Sequence, residues 1–258
     1  MARLADFFSR RRKADSHAEA MATALTAAKA GDYPAALSIW EPLARAGEAR
    51  AQNNIGACFA GGLGVERDVE LARRWLTLSA EAGDAPGQRN LASLLFRGEG
   101  IEPDHEQAAQ LYRLAAEQGD AQAQDMLSWM LLEGDAVGPD PAEAKRWAEK
   151  AAEGGVAAAM TRLGMIHHNA LGVPRDPRAA VDWWRKGAGA GDADGEAMLG
   201  AALHLGMGTA RDPVAAYVHL KRAESRGSAL AAPFLHEAWN ALDEDQRREA
   251  ETRLGDPT

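Results

Sequence analysis

The sequence predicts an all-α, right-handed α-solenoid of about five to six helix–loop–helix repeats, each 36 residues long. Three observations lead to this prediction. A glycine returns every 36 residues, an aliphatic residue follows eight positions later, and an aspartate follows 21 positions after the glycine. A period of this length that never slips is typical of stacked helical repeats, each burying its apolar face against its neighbours. The repeated glycines are Gly47, Gly83, Gly119, Gly155, Gly191 and Gly227.

The first helix of each repeat is predicted to begin just after the glycine and to run for about thirteen residues, for example Asp120–Leu132. Glycine readily adopts the left-handed conformation that ends a helix, and aspartate or serine is a good N-cap for the next one. A small residue four positions before the aliphatic is expected to allow close helix packing. These small residues are Ala51, Gly87, Ala123, Ala159, Gly195 and Ala231.

The second helix is predicted to start at the repeated aspartate, after a glycine-rich loop. Proline follows this aspartate at Asp140, Asp176 and Asp212, which suits the first helical position. Asp140 with Glu143, and Asp104 with Gln107, are predicted capping boxes. The loops lack the lysine and serine of a phosphate-binding loop, so their glycines indicate turn geometry. The position seven residues after the repeated aspartate is expected to pack between helices. It is occupied by Trp75, Leu111, Trp147 and Trp183.

Three parts are predicted along the chain: a basic, flexible N-terminal segment (residues 1–16), the solenoid (residues 17–242), and a polar capping helix with a tail (residues 243–258). Residues 1–13 contain five basic residues and one acidic residue, a net charge of +4, while the rest carries −13. This segment is interpreted as a solvated tail. The alternatives are an amphipathic membrane or partner arm, and a twin-arginine export signal.

Composition narrows the function classes further. The chain has 258 residues and a net charge of −9, which argues against nucleic-acid binding. No apolar run approaches the ~20 residues that span a bilayer. The single cysteine, Cys58, allows no internal disulfide and is expected to be a buried, unreactive thiol. We therefore expect a cytoplasmic protein, with export or peripheral membrane attachment as alternatives.

The repeat resembles a known family. The stretches "AAEQGDAQAQ" (115–124) and "LGVPRDPRAAVDWWRKGA" (171–188), with the 36-residue period, are similar to Sel-one-like repeats, relatives of tetratricopeptide repeats. The resemblance covers about residues 31–242; Ala136 replaces a loop glycine, and Gly187 and Gly189 weaken one second helix. It implies a bacterial adaptor or scaffold that binds other proteins. A cysteine-rich branch linked to β-lactam binding is not implied, because the paired cysteines are missing.

Catalytic chemistry finds little support in the sequence. His167 and His168 are adjacent, and neighbouring residues on a helix point about 100° apart, so they do not suit one metal ion. The other histidines fall at different registers, and the repeated aspartates are already needed as caps. We expect no catalytic residues, no metal and no cofactor.

The candidate binding residues lie on the first helices, at positions three, six, ten and thirteen after each glycine, which are predicted to be exposed on a concave face. Trp129 stands out in a register that otherwise holds small residues and Met165, and with Arg89 it is the predicted anchor. The alternative is that Trp129 fills space between helices. The candidate partner-binding residues are Arg89, Phe96, Asp125, Trp129, Leu132, Met165, His168 and His204.

The predicted function is therefore a non-enzymatic scaffold that binds a partner peptide or helix in its concave groove. The partner is an unidentified protein that carries some basic residues, in view of the acidic body. There are two alternative functions. One is a membrane-surface adaptor that uses the basic N-terminal segment, and the other is a hydrolase or regulator of cell-envelope processes. The oligomeric state stays open.

Overall fold

The computed structural model describes residues 2–134 and 137–255, with side chains from residue 16 onward. This part of the chain contains helices and loops but no strand. It forms two compact units, Met1–Asp120 and Ala121–Thr258. The predicted all-α repeat fold is confirmed.

The first unit contains a long helix followed by five helices of thirteen residues each. Consecutive helices pack against each other, so that two helices joined by a glycine-containing loop form one repeat. The bounds are α1 (Ala2–Lys29), α2 (Tyr33–Arg45), α3 (Ala49–Gly61), α4 (Val69–Glu81), α5 (Ala85–Arg97) and α6 (His105–Glu117).

The second unit continues the pattern with six helices of thirteen residues, and ends in a 3₁₀ turn and two further helices. The bounds are α7 (Ala121–Glu133), α8 (Pro141–Glu153), α9 (Ala157–Asn169), α10 (Pro177–Gly189), α11 (Ala193–Leu205), α12 (Pro213–Ser225), the 3₁₀ turn Ala229–Ala231, α13 (Ala232–Asn240) and α14 (Glu244–Gly255). The thirteen-residue first helices agree with the length predicted from the period.

The repeated aspartates cap the second helices, as predicted. The Asp140 Oδ1 atom accepts a hydrogen bond from the Glu143 backbone N–H at 2.8 Å. The second hydrogen bond of the predicted capping box, from the Asp140 backbone N–H to the Glu143 side chain, is wrong. The Asp140 N–H donates instead to the Leu131 carbonyl at 3.0 Å. Glu143 accepts from the Trp147 indole N–H at 3.0 Å. Asp104 follows the same scheme, and its N–H donates to a carbonyl of the first helix, so each cap also closes the loop.

Tight packing within a repeat depends on glycine facing a large side chain. A Cβ atom at Gly164 would lie 2.3 Å from the Trp184 ring, and one at Gly200 would lie 2.8 Å from the Leu220 Cγ. Trp184 is completely buried, and Trp183 is half-buried and packs against the apolar cluster of α8 and α9. The Lys186 Nζ lies 3.9 Å from the centre of the Trp183 ring. Trp147, in the same register as Trp183, is 8% exposed, so the predicted packing register is confirmed, and the position directly after it is buried still more deeply at Trp184.

The ends of the chain differ from the repeats. Helix α1 begins at Ala2, well before the predicted start near His17. The side chains of residues 1–15 lie outside the described residues, so the interpretation of the basic segment stays a prediction. At the other end, Asp243 caps α14 as predicted: its Oδ1 accepts from the Gln246 N–H at 2.8 Å, and the Gln246 side chain accepts from the Asp243 N–H at 3.1 Å.

In both units, loop glycines bring loops against the second helix of the preceding repeat. At Gly208, where φ is +72°, a Cβ atom would lie 2.1 Å from the Pro177 carbonyl oxygen. Gly191 also has a positive φ, +92°, but a Cβ atom there would meet nothing within 4 Å. A substitution at Gly191 therefore tests the cost of the left-handed backbone alone, whereas a substitution at Gly208 adds the cost of a steric clash.

We expect Gly191→Ala to lower the free energy of unfolding by about 1–2 kcal/mol, the cost of a left-handed alanine. Gly208→Ala should cost about 1–3 kcal/mol more, because the backbone of two repeats must separate. Urea unfolding of both variants, monitored by circular dichroism, measures the difference. Equal destabilisation would show that the loop does not depend on this close contact.

Candidate functional site

The candidate residues fall into two groups according to their burial. Position six after the glycine was predicted to be exposed, and this is wrong: Asn53 is 6% exposed, Asp125 7% and Thr161 5%. Positions ten and thirteen are more open, since Met165 is 40% exposed and Trp129 is half-buried. Position six therefore lies in the packed interior in these repeats, whereas the side chain of Arg89, at the same position, is 29% exposed.

Position six is buried because its polar side chains bond to the adjacent first helix. In the second unit, the Arg162 Nε and Nη2 atoms donate to the Asp125 Oδ1 at 3.2 and 3.1 Å. In the first unit, the Asn90 Nδ2 donates to the Asn53 Oδ1 at 2.7 Å. A buried carboxylate needs such partners to offset its lost hydration. Asp125 thus links two repeats and is not presented to a partner.

The first-unit candidates are Arg89 and Phe96. The Arg89 Nη1 atom donates to the Asp120 Oδ2 at 2.7 Å, and its side chain is 29% exposed. Arg50 makes the equivalent bond to Asp84, at 2.8 Å. The Phe96 ring is half-buried and lies 4.9 Å, centre to centre, from the His105 ring. The predicted anchoring arginine is therefore already part of an ion pair between repeats.

Four candidates lie together in the second unit, and we call them the α7–α9 surface: Trp129 and Leu132 on α7, with Met165 and His168 on α9. They occupy positions ten and thirteen of two neighbouring first helices, which contact each other. Leu132 packs against the apolar cluster of α8 and α9. The group is thus anchored on the core and partly open to solvent.

Histidine adds no charge to the α7–α9 surface near neutral pH. Burial lowers the pKa of His168, and the nearby Arg175 guanidinium lowers it further. The His168 ring lies 5.5 Å, centre to centre, from the Trp184 ring. His204 is separate, on α11, with its Nε2 atom 3.9 Å from a Glu237 carboxylate oxygen. The α7–α9 surface is therefore apolar and aromatic in character.

Two open crevices between repeats were missed by the sequence reasoning. In the first unit, a cavity of about 310 Å³ between α2, α3 and α4 has a largely apolar lining, rimmed by Glu41 and Arg45. Its apolar lining residues are Leu37, Ile55, Phe59, Val65, Leu71 and Trp75. In the second unit, a cavity of about 520 Å³ lies between α10, α11 and α12 and is lined by arginines.

The groups with chemical potential are few in the described part of the chain. Cys58 is 2% exposed, as expected, and burial raises the pKa of its thiol to about 11, so it stays protonated near neutral pH. Within residues 2–134 and 137–255, no group of three or more histidines, cysteines and carboxylates could hold a metal ion. No helix in that same part is long and apolar enough to cross a membrane.

Solved structures share this architecture. A Sel1 repeat protein from Oxalobacter formigenes is 28% identical, with a TM-score of 0.81 over 93% of this chain and 97% of that chain. The antigen c5321 of uropathogenic Escherichia coli, described as an SLR fold, is 25% identical with a TM-score of 0.76; it aligns over 95% of this chain but 55% of its own. A sel1 repeat protein from Klebsiella pneumoniae, 22% identical, matches 78% of this chain and 98% of its own at a TM-score of 0.52 and shows the fold alone.

A search of curated proteins gives no match. The family model of the Sel1 repeat matches five consecutive segments: residues 49–84, 85–120, 121–156, 157–192 and 193–228. Each segment starts two positions after one of the repeated glycines, so the model divides the chain at the same points as the period does. Sel1 repeats generally form non-catalytic scaffolds for protein–protein interaction. The chain belongs to the Sel1 repeat family.

Proposed function

We propose that this protein is a non-enzymatic, cytoplasmic scaffold that binds a peptide or helix of a partner protein through the α7–α9 surface. The observation that supports the proposal is that Trp129 and Met165 occupy the same position of two first helices, α7 and α9, that contact each other. Both lie at position ten of their first helices, where the other repeats have the small residues Ala57, Ser93 and Ala201. Large side chains at a position that the other repeats fill with small ones are candidates for the recognition of a partner.

The chemistry of the α7–α9 surface favours an apolar anchor from the partner. Met165 is 40% exposed, and its flexible side chain can adapt to different partner shapes. Trp129 is the residue type that most often supplies binding energy at the centre of an interface. The neutral His168 adds an aromatic ring without a charge. An amphipathic partner helix fits this description, with basic residues beside its apolar face to suit the acidic chain.

Replacing the two large residues tests the proposal. We expect Trp129→Ala/Met165→Ala to weaken binding of the main partner recovered from native lysate by at least about tenfold, since each hot-spot side chain contributes about 2 kcal/mol. The partner is identified by mass spectrometry and its affinity is then measured with purified proteins.

The control for this experiment is Leu78→Ala, which removes an equally open apolar side chain, 47% exposed, from a second helix of the first unit. It should bind the partner like the wild type, and circular dichroism should show unchanged helix content in both variants. Equal binding by the double variant would place the interaction elsewhere, and unfolding of that variant would show that Trp129 belongs to the core.

The lowered pKa of His168 predicts a pH effect on stability. At pH 7.5 the ring is neutral in both states and contributes nothing. As the pH falls through the unfolded pKa, about 6.5, the unfolded chain takes up a proton more readily than the folded chain, so unfolding becomes more favourable. Melting temperatures of the wild type should therefore fall more between pH 7.5 and 5.5 than those of His168→Gln. Equal losses would mean that His168 is solvated like an ordinary histidine.

A further inference from the structure

The second-unit cavity of about 520 Å³ has the lining of an anion site, and we call it the arginine crevice. Three guanidinium groups border it, from Arg185 on α10, Arg222 on α12 and Arg226 at the end of α12. One carboxylate, that of Glu196 on α11, lies at its base beside His219. The chain as a whole carries a net charge of −9, so a cavity lined by three arginines and one glutamate is unusual for this protein.

The arginine crevice occupies the same repeat position as the apolar crevice of the first unit, four repeats earlier. His219 corresponds to Trp75, and Leu199 to Ile55. The position of Gly189 holds Arg45 in the first repeat and a glutamate in the next three repeats: Glu81, Glu117 and Glu153. A histidine in place of the tryptophan and a glycine in place of the glutamate leave more open space here and one acidic side chain fewer beside the arginines.

Glu196 departs from the repeat in a way that concerns the same crevice. Its register holds glutamine in three earlier repeats, and two of these, Gln52 and Gln88, donate to carbonyls of the preceding helix. Glu196 is 4% exposed and accepts instead from the Arg226 Nη1 at 2.8 Å. Arg226 itself stands where the other repeats have alanine, glutamine or glycine. The Arg226 side chain is 46% exposed, so only the carboxylate of this pair is buried, and the carboxylate needs the arginine to offset its lost hydration.

The ion pair holds the crevice side chains in position. The His219 Nδ1 atom lies 3.5 Å from the Glu196 Oε1, on the opposite side from Arg226. The Arg222 Nη2 atom donates to the Arg253 carbonyl of α14 at 2.9 Å. Arg185 is 58% exposed and pairs with Asp182 on its own helix. Arg222 and Arg226 are thus each held in place by a hydrogen bond that uses only part of the guanidinium group. Their remaining N–H groups are left for a ligand in the cavity.

From these contacts we propose that the arginine crevice binds a small organic oxyanion, a carboxylate or phosphate monoester. Its charged group is bound by Arg185, Arg222 and Arg226, and its apolar part rests on Leu199 and Leu203. Guanidinium groups match both oxyanions through paired N–H donors. The cavity volume lies within the range of small-molecule sites, about 300–1,000 Å³.

The arrangement favours a small molecule over an acidic protein segment. The arginines come from two second helices, α10 and α12, which both pack against α11. Leu199 and Leu203 of α11 line the same cavity. Because all three arginines line one cavity, they suit a compact anion better than an extended acidic chain.

Calorimetric titration of the full chain at low salt tests the proposal, with phenyl phosphate and benzoate as probes. At least one probe should bind the wild type with a dissociation constant below about 1 mM, and the better probe identifies the oxyanion class. Arg185→Gln should weaken that binding at least tenfold. Glu196→Gln/Arg226→Gln, which leaves no lone buried charge, should do the same.

The matched control is Arg248→Gln. Arg248 is another exposed arginine, paired with an aspartate three residues earlier, on α14. It should bind the probe within twofold of the wild type. The proposal is overturned if neither probe binds with a dissociation constant below about 1 mM, or if the three variants behave alike. Binding of a hexaglutamate peptide in place of both probes would also overturn it and would assign the crevice to an acidic protein segment.

This site is independent of the α7–α9 surface, since the two share no residue. Trp129→Ala/Met165→Ala should leave the binding of the probes unchanged, and Arg185→Gln should leave partner binding unchanged. Either proposal can therefore fail without affecting the other.

Discussion

Within each unit, the repeat depends on one close contact, between the start of a first helix and the helices that precede it. A Cβ atom at Gly87 would lie 2.2 Å from the Ser79 Oγ, and one at Gly195 would lie 2.4 Å from the Thr161 Oγ1. At the same register Ala51 is completely buried. Only a small side chain fits where two helix backbones approach this closely. An added or lost residue would move a larger side chain into the contact, which explains why the 36-residue period never slips.

The polar residues near this contact are part of the scaffold as well. The Thr161 hydroxyl donates to the Asp192 Oδ2 at 2.6 Å, while Asp192 also caps α11 by accepting from the Gly195 N–H at 2.7 Å. In the first unit, Asp84 caps α5 and accepts from Arg50. A single aspartate thus stabilises a helix end and joins two repeats. Residues that cap helices and join repeats are not available to a ligand. Functional residues are therefore expected at the positions that depart from the repeat.

The sequence was sufficient to predict everything that depends on local periodicity. The helix lengths, the aspartate caps and the buried small residues follow from spacing and from N-cap chemistry. The exposure of Asp125 could not be predicted in the same way, because its partner, Arg162, lies 37 residues away on another first helix. A polar residue in an open register and a polar residue that bridges two repeats look alike in one sequence. Trp183 and Trp184 pose the same difficulty, since adjacent tryptophans leave the register undecided until the facing Gly164 is known.

The two crevices show how one repeat position acquires different chemistry. Their backbones are equivalent, yet Trp75 closes part of an apolar cavity in the first unit, and His219 stands in a basic one in the second. A signal for the second crevice was present in the sequence, since Glu196 stands at a position that holds glutamine in three of the four preceding repeats and Met160 in the fourth, and Arg226 interrupts a run of small or neutral residues. Neither substitution is informative alone. Their significance appears only when the fold brings the two side chains to 2.8 Å, because the buried carboxylate then holds an arginine at the edge of the cavity.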